Sequence, residues 1–417
     1  MLHGFVSFYR RQEENGMESQ PLSKNRTFVL LFIAGIFGVV SFSMFLTTTT
    51  WFVISDNGSA SALGLVLIAA TVPRIAMMIF GGVVADRYKK TSIMFITNFV
   101  QAILLLLLFI LVQNDGLSTV LLLVIAAGFG MLDAFFGPAS TSMIPKIVAK
   151  SQLQRANALF QGVDQVSFVA GPIVAGVLME SIGVSGSYFI AMVLALLSAV
   201  IIYPRFIREG PVALQEKQKP VQEIKQGLAY IRSSRFLMTG LVVLITLNFF
   251  VFGTLHIAIP FLVESYGGSP LNLSYMEASL GLGLVAGTGV LSTVLINKKG
   301  RTSLFGLSGA LIAYVVFALV PHLTMLTIVV FFIGFSMSFV FIPFFTAAQE
   351  QAADFMMGRV MSIIFLAMNG FDPISYALVS GLSAANIPIQ TILLSFAAIG
   401  LIITAVLFRK AKTYQSM

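Results

Sequence analysis

The chain has 417 residues, of which 57% are hydrophobic and 10% charged, with a formal net charge of +8. That leaves too little polar material to cover a soluble globule, and the basic excess has an explanation in loop placement that makes nucleic-acid binding unnecessary. Cysteine is absent, which excludes disulfides, thiolate metal sites and thiol nucleophiles, and three scattered histidines (His3, His256, His322) leave metal catalysis almost without ligands.

Residues 1–26 are polar and basic with no apolar core ahead of a cleavage site, so they read as a cytoplasmic tail and not as a signal peptide. Glu13 and Glu14, a short distance before Met17, make Met17 a second candidate translation start. Apolar stretches follow at 27–54, 62–84, 92–112, 118–143, 157–179 and 184–203. A second set lies at 236–262, 274–296, 303–320, 324–349, 359–383 and 387–408. Each is long enough to cross hydrocarbon as a helix, and strand-type alternation is absent, which disfavours a membrane β-barrel.

Of the 25 Lys and Arg residues, all but Arg74 fall in the termini or in every second gap between these spans. Basic residues stay cytoplasmic during insertion, so the alternation predicts both termini inside and an even span count. The longest gap, 204–235, holds Pro204, Pro211 and Pro220 and a candidate amphipathic helix near Gln222–Arg232, expected to lie along the inner membrane surface as a tether. The expected architecture is therefore all-α: twelve transmembrane helices in two pseudo-symmetric six-helix bundles. The N-terminal bundle is 27–203, the linker 204–235, the C-terminal bundle 236–408 and the cytoplasmic tail 409–417. The halves echo each other, since Lys90-Thr91-Ser92 after span two matches Arg301-Thr302-Ser303 after span eight, which pairs Asp86 with Asn297.

Ionisable residues inside apolar segments need a partner or a wet cavity, because a charge at bilayer centre costs about 2.5–3.5 kcal/mol even on the lenient insertion scale. Counted from the charge-poor ends at about 1.5 Å per residue, Arg74 in span two lies about 18 Å deep and Asp133 in span four about 22 Å, close enough for an ion pair. Asp164 lies in span five, and Asp372 sits near mid-depth in span eleven at a Gly370-Phe371-Asp372-Pro373 break. Glu277, near the end of span eight, reads as interfacial. A carboxylate in a partly desolvated cavity can exchange a proton for a cationic ligand, which makes Asp133, Asp372 and Asp164, with Arg74, the candidate coupling residues.

Gly82-Val-Val-Ala-Asp86-Arg87-Tyr-Lys89-Lys90 resembles the loop signature of the major facilitator superfamily, G-x-x-x-D-R-x-G-R-K, with Lys89 in place of Gly. Gly162…Gly171-Pro172-Ile-Val-Ala-Gly176 resembles the span-five signature of exporters that exchange substrate for protons, with Ala175 in place of Gly. Ala134-Phe-Phe-Gly-Pro138 through Leu153-Gln-Arg155-Ala156-Asn157, with Gln349…Asp354…Gly358-Arg359-Val360, resembles the branch holding macrolide-efflux and enterobactin-exporting members.

The resemblance implies a loop latch at Gly82, Asp86, Arg87, Lys90, Asn297, Arg301 and Arg359, and close helix packing at Gly162, Gly171, Pro172 and Gly176. It also implies a cavity lined by spans one, four, seven and ten, where Thr47, Trp51, Phe136, Asn248, His256, Phe345 and Gln349 are candidate substrate contacts. The span-four Arg that many drug–proton exporters carry is missing. The function implied is a proton-coupled exporter of amphipathic drug-like or siderophore-like molecules, monomeric, in a bacterial cell membrane, with the proton gradient as energy source and no bound cofactor. A lipid or lysophospholipid translocator of the same fold and a non-transporting sensor or scaffold stay open alternatives. No Walker-type loop or nucleophile constellation supports an enzyme.

Overall fold

A computed structural model of the protein describes residues 21–57, 59–149, 152–207, 220–294, 296–353 and 356–416; the side chains of several helical residues, among them Gly82, Asp86, Arg87 and Asp164, lie outside the described set. Among the described residues every regular element is a helix. That is the expected outcome for chain without water at its sides, since a helix satisfies its own backbone N–H and C=O groups.

In chain order, α1 (Arg26–Asn57), α2 (Ala60–Arg87), α3 (Lys90–Gln113) and α4 (Thr119–Ile147) form spans one to four. The run α5 (Leu153–Ile201) carries spans five and six, parted at Gly183, whose backbone turns to φ 79°, ψ 174°. No atom lies within 4 Å of where a Cβ would stand there, so glycine is required by the backbone angle and not by space.

The linker helix is α6 (Pro220–Ser233). Span seven is α7 (Arg235–Leu247), a π-turn at Asn248–Phe252, and α8 (Gly253–Ser265). Then come α9 (Pro270–Thr293), α10 (Lys299–Leu319) and α11 (Leu323–Gln351) as spans eight to ten. Span eleven is split into α12 (Met357–Asn369) and α13 (Asp372–Ala384), and α14 (Ile389–Lys410) is span twelve, followed by the short α15 (Lys412–Gln415).

Ten stretches among the described residues are long and apolar enough to cross a membrane by length and composition. The break at Gly183 lies inside one of them, and α9, 24 residues long, occupies the position expected for span eight. The helices overrun the apolar spans by a few residues at most ends, because terminal turns carry polar residues that an apolar count stops at. Ser118 and Ser234 cap the starts of α4 and α7 by accepting from Leu121 N and Leu237 N, and Asn272 accepts from Ser269 N at 2.9 Å at the start of α9.

The chain folds as two compact units whose boundaries cut through spans one, two and five. Described residues of Met1–Leu46, Pro73–Gly171 and Ile182–Gln215 form the first; those of Thr47–Val72, Pro172–Ser181 and Glu216–Met417 form the second.

In the first unit, spans one, three and six are tied by a buried polar relay. The Asn98 amide donates to Ser198 Oγ at 2.6 Å, and that hydroxyl donates to Ala34 O at 2.6 Å. Ser41 Oγ donates to Ala191 O at 2.8 Å, and the Phe45 and Phe129 rings stack 3.9 Å apart. Asn98→Ala leaves the Ser198 hydroxyl without its donor and is expected to cost about 1–3 kcal/mol, read as a lowered thermal-unfolding midpoint in detergent.

In the second unit the linker helix does not present all its faces to lipid. Tyr230 Oη donates to Gln351 O (3.2 Å) and accepts from Ala353 N (3.1 Å), and a Cβ on Gly227 would come within 2.8 Å of Ile363 Cδ1. The expected membrane-surface tether is thus docked, on this face, against the connection between spans ten and eleven. The tail folds back as well. Tyr414 is buried with its ring 4.8 Å from Phe236, and burial pushes its phenol above the usual range.

Candidate functional site

Span two carries Pro73 inside a continuous helix and Arg74 directly after it. Arg74 Nε lies 2.8 Å from Asp133 Oδ2, an ion pair between spans two and four. The guanidinium also sits over the Phe42 ring of span one, 5.6 Å from its centroid, and Phe42 in turn packs 5.9 Å from Phe129. The side chains remain 39% and 20% exposed, so neither is sealed in the helix bundle. At membrane depth the pair holds two charges at a net of zero. Phe136, three residues on from Asp133, is half-buried. The Asp164 side chain is outside the described set.

The second unit has a different construction. Span seven widens into the π-turn, and Phe249 O accepts a hydrogen bond from Ser375 Oγ of span eleven at 2.9 Å. A Cβ on Gly253 would lie 3.0 Å from that same serine, so glycine lets the two helices close on each other. Span eleven is broken at Gly370 and Phe371, and Asp372, 7% exposed, is the first residue of the half-helix that follows, with Pro373 next to it. The N-terminal end of a helix favours a carboxylate there. Broken and bulged membrane helices in contact are features that mark functional regions.

Other candidates fall out differently. Asn248 is buried and its amide is spent on Leu244 O of its own helix (2.9 Å). His256 packs edge-on to Phe252 at 4.8 Å, Phe345 lies 5.7 Å from Phe365, Trp51 is buried and Gln349 is exposed. In the loops, Lys90 is buried, Asn297 and Arg301 are exposed with Arg301 over Phe305, and Arg359 donates to Met356 Sδ at 3.5 Å. Gly82, Asp86 and Arg87 lie outside the described side chains. An ion pair between Lys299 and Glu350 joins the basic ends of spans nine and ten, a link that sequence reasoning missed.

The span-five glycines are not equivalent. Gly162 is exposed with no atom within 4 Å of a Cβ, so the expected close packing does not occur at that position. A Cβ on Gly171 would come within 2.5 Å of Ser43 Cβ in span one, and one on Gly176 within 2.6 Å of Ser274 Cβ and 2.9 Å of Pro270 O in span eight. The boundary between the units falls between Gly171 and Pro172.

Glu277 also departs from expectation. It is not merely interfacial: the carboxyl is partly buried and Oε2 accepts a 2.6 Å hydrogen bond from Thr47 Oγ1 of span one. Together with Gly176 on Ser274, and Gly64 of span two seated on Ser380 and Tyr376 O of span eleven, this makes a tight seam at the charge-poor ends of the helices. The composition at position 277 offered no signal for this, since a Glu two turns from a helix end is equally compatible with water.

The profile of the Major Facilitator Superfamily matches residues 31–371. The chain is 23% identical over 395 residues to the enterobactin exporter EntS of Escherichia coli O1:K1 / APEC, covering 91% of this chain and 88% of EntS. It is 24% identical over 371 residues to the uncharacterized MFS-type transporter YvqJ of Bacillus subtilis strain 168, covering 85% of each. Among solved structures, the nucleoside transporter NupG superposes with a TM-score of 0.71 at 14% identity, covering 93% of this chain and 99% of NupG. A bacterial homologue of the human lysosomal transporter Spinster gives 0.67 at 16% identity, covering 94% and 96%. The all-helical architecture of the described residues and a profile match over most of the length agree: the chain belongs to the Major Facilitator Superfamily.

Proposed function

We propose that this transporter is an exporter, a proton-coupled antiporter that moves amphipathic small molecules of drug-like or siderophore-like character out of a bacterial cell by alternating access. The observation that carries the reading is the Arg74–Asp133 pair at 2.8 Å, an acid held at membrane depth by a cation it can release. The named exporter among the relatives supports the direction of transport. In this reading the basic side faces the cytoplasm, with both termini there, and the protein works as a monomer. Asp133 takes a proton from outside, which breaks the ion pair, and gives it up inside, after which the pair re-forms. Aromatic faces beside the pair, Phe42 and Phe129, suit a bulky apolar body with a polar or charged group better than a sugar, which needs many directed hydrogen bonds.

The test is efflux of an amphipathic fluorescent cation from cells lacking their own pumps, with and without a protonophore. Protection and efflux that vanish on uncoupling are the expected result; efflux indifferent to the protonophore removes the proton from the scheme.

A further inference from the structure

The seam at the charge-poor ends of the second unit contains one acid and small residues. Glu277 lies about 10 Å along span eight from its first residue, at about 1.5 Å per residue. Thr47, which donates to it, is 2% exposed and opens a run of four buried threonines, with Thr50 Oγ1 donating to Thr47 O at 2.9 Å. On either side, Gly176 admits Ser274 and Gly64 admits Ser380, contacts that hold only while the helices are in touch.

The titratable groups on the elements packed around the carboxyl are few. Span seven carries Arg235, His256 and Glu264, span ten carries His322 at its near cap and Glu350 at its far end, span one ends in Asp56, span five has Asp164 with Glu180 just beyond it, span eleven has Asp372 and Tyr376, span two has Arg74, and span eight itself has Tyr275. Among the described residues none of them forms an ion pair or hydrogen bond with Glu277; its one donor is Thr47.

An ionised carboxylate offers about four acceptor sites and brings no proton of its own. One neutral hydroxyl leaves it poorly compensated in a closed seam, and a partly buried charge without a counter-ion is costly. The protonated acid loses that charge and keeps an oxygen for Thr47. We propose that Glu277 is a second proton-binding group of this transporter: a proton taken from water onto the carboxyl favours the closed seam, and release of that proton to water favours its parting. This deepens the exporter reading, on which it rests for the side from which the proton arrives. The coupling residue and the seam residue are then separate sites.

Because the chain has no native cysteine, Ser380→Cys is a single reporter. Ser380 is 6% exposed and faces Gly64, so its labelling by a bulky maleimide in nanodiscs reads seam opening with no substrate, gradient or known orientation required. Labelling rates are taken over a pH series and divided by those of the E277Q/S380C double variant, which cancels the thiol's own pH dependence. The ratio is expected to rise with pH, by up to about tenfold per unit where one proton governs opening, and the E277Q/S380C rate to change only as the thiol's own ionisation dictates. A ratio flat across the series overturns the proposal. Ser274→Cys, facing Gly176, repeats the measurement if the first reporter fails to fold. Since no transport is measured, a flat ratio leaves the protonophore test of export untouched, and loss of proton-driven efflux leaves this result standing.

Discussion

Asp133→Asn is expected to reduce proton-driven efflux to the background of the empty vector while the protein still reaches the membrane. Asparagine keeps the shape and one carbonyl acceptor for Arg74 but cannot carry a proton in exchange. The guanidinium, 2.8 Å from Oδ2 in the native protein, then keeps a neutral partner and the Phe42 face, so it is not stranded. Full breakage of a buried pair costs about 3–5 kcal/mol. With Arg74 39% exposed the loss should be lower, about 1–2 kcal/mol, because an exposed pair contributes less.

The double variant R74Q/D133N separates the two roles. It has no unpaired charge at membrane depth, so its thermal midpoint should recover toward the native value, whereas efflux should stay absent. Efflux driven by an imposed pH gradient in D133N vesicles at the native rate would remove Asp133 from the coupling scheme. Recovery of efflux in the double variant would show the pair to be a structural bridge only.

How far the chain could be read in advance depended on whether a feature is intrinsic or relational. Span existence and the alternation of basic loops follow from composition and from the need to satisfy backbone groups in hydrocarbon, so they were legible. The break in span eleven was legible too, since Gly370 and Pro373 flank it and each interrupts a helix by its own chemistry. Depth counting brought Arg74 and Asp133 to one level because a helix advances by a fixed rise.

The π-turn in span seven was not legible: Asn248-Phe-Phe-Val-Phe252 is ordinary membrane sequence, and the turn is stabilised by Ser375, more than a hundred residues away. Gly162 and Gly171 look alike in the motif, yet one faces empty space and the other Ser43. The role of Glu277 depends on Thr47 in the same way. What a side chain meets is a property of the partner, and one helix's sequence does not contain it.

The largest expected loss of stability comes from a crossing that no motif reading singled out. Gly283 and Gly287 of span eight form a G-x-x-x-G pair, and Gly334 of span ten answers them. A Cβ on Gly283 would lie 2.8 Å from Phe335 N, one on Gly287 2.7 Å from Phe335 O, and one on Gly334 3.0 Å from Leu280 C. These neighbours are backbone atoms, which no rotamer change can move aside. Gly283→Ala or Gly334→Ala must therefore push two helices apart, and their neighbours with them. Span ten also accepts a part-buried hydrogen bond from Ser279 Oγ at Thr327 O (2.8 Å) and a buried one from Ser303 Oγ at Val340 O (2.9 Å), so the displacement strains both. Overpacking commonly costs about 1–3 kcal/mol, and a backbone-to-backbone clash belongs at or above the top of that range. Gly289→Ala is the control on the same helix: it is exposed with no atom within 4 Å, and should be neutral or gain up to about 1 kcal/mol from helix propensity. Thermal unfolding of the three purified variants in one detergent decides the matter. Equal midpoints for G283A, G334A and G289A would mean that spans eight and ten do not cross at these glycines; a fall confined to the first two is what close backbone approach requires.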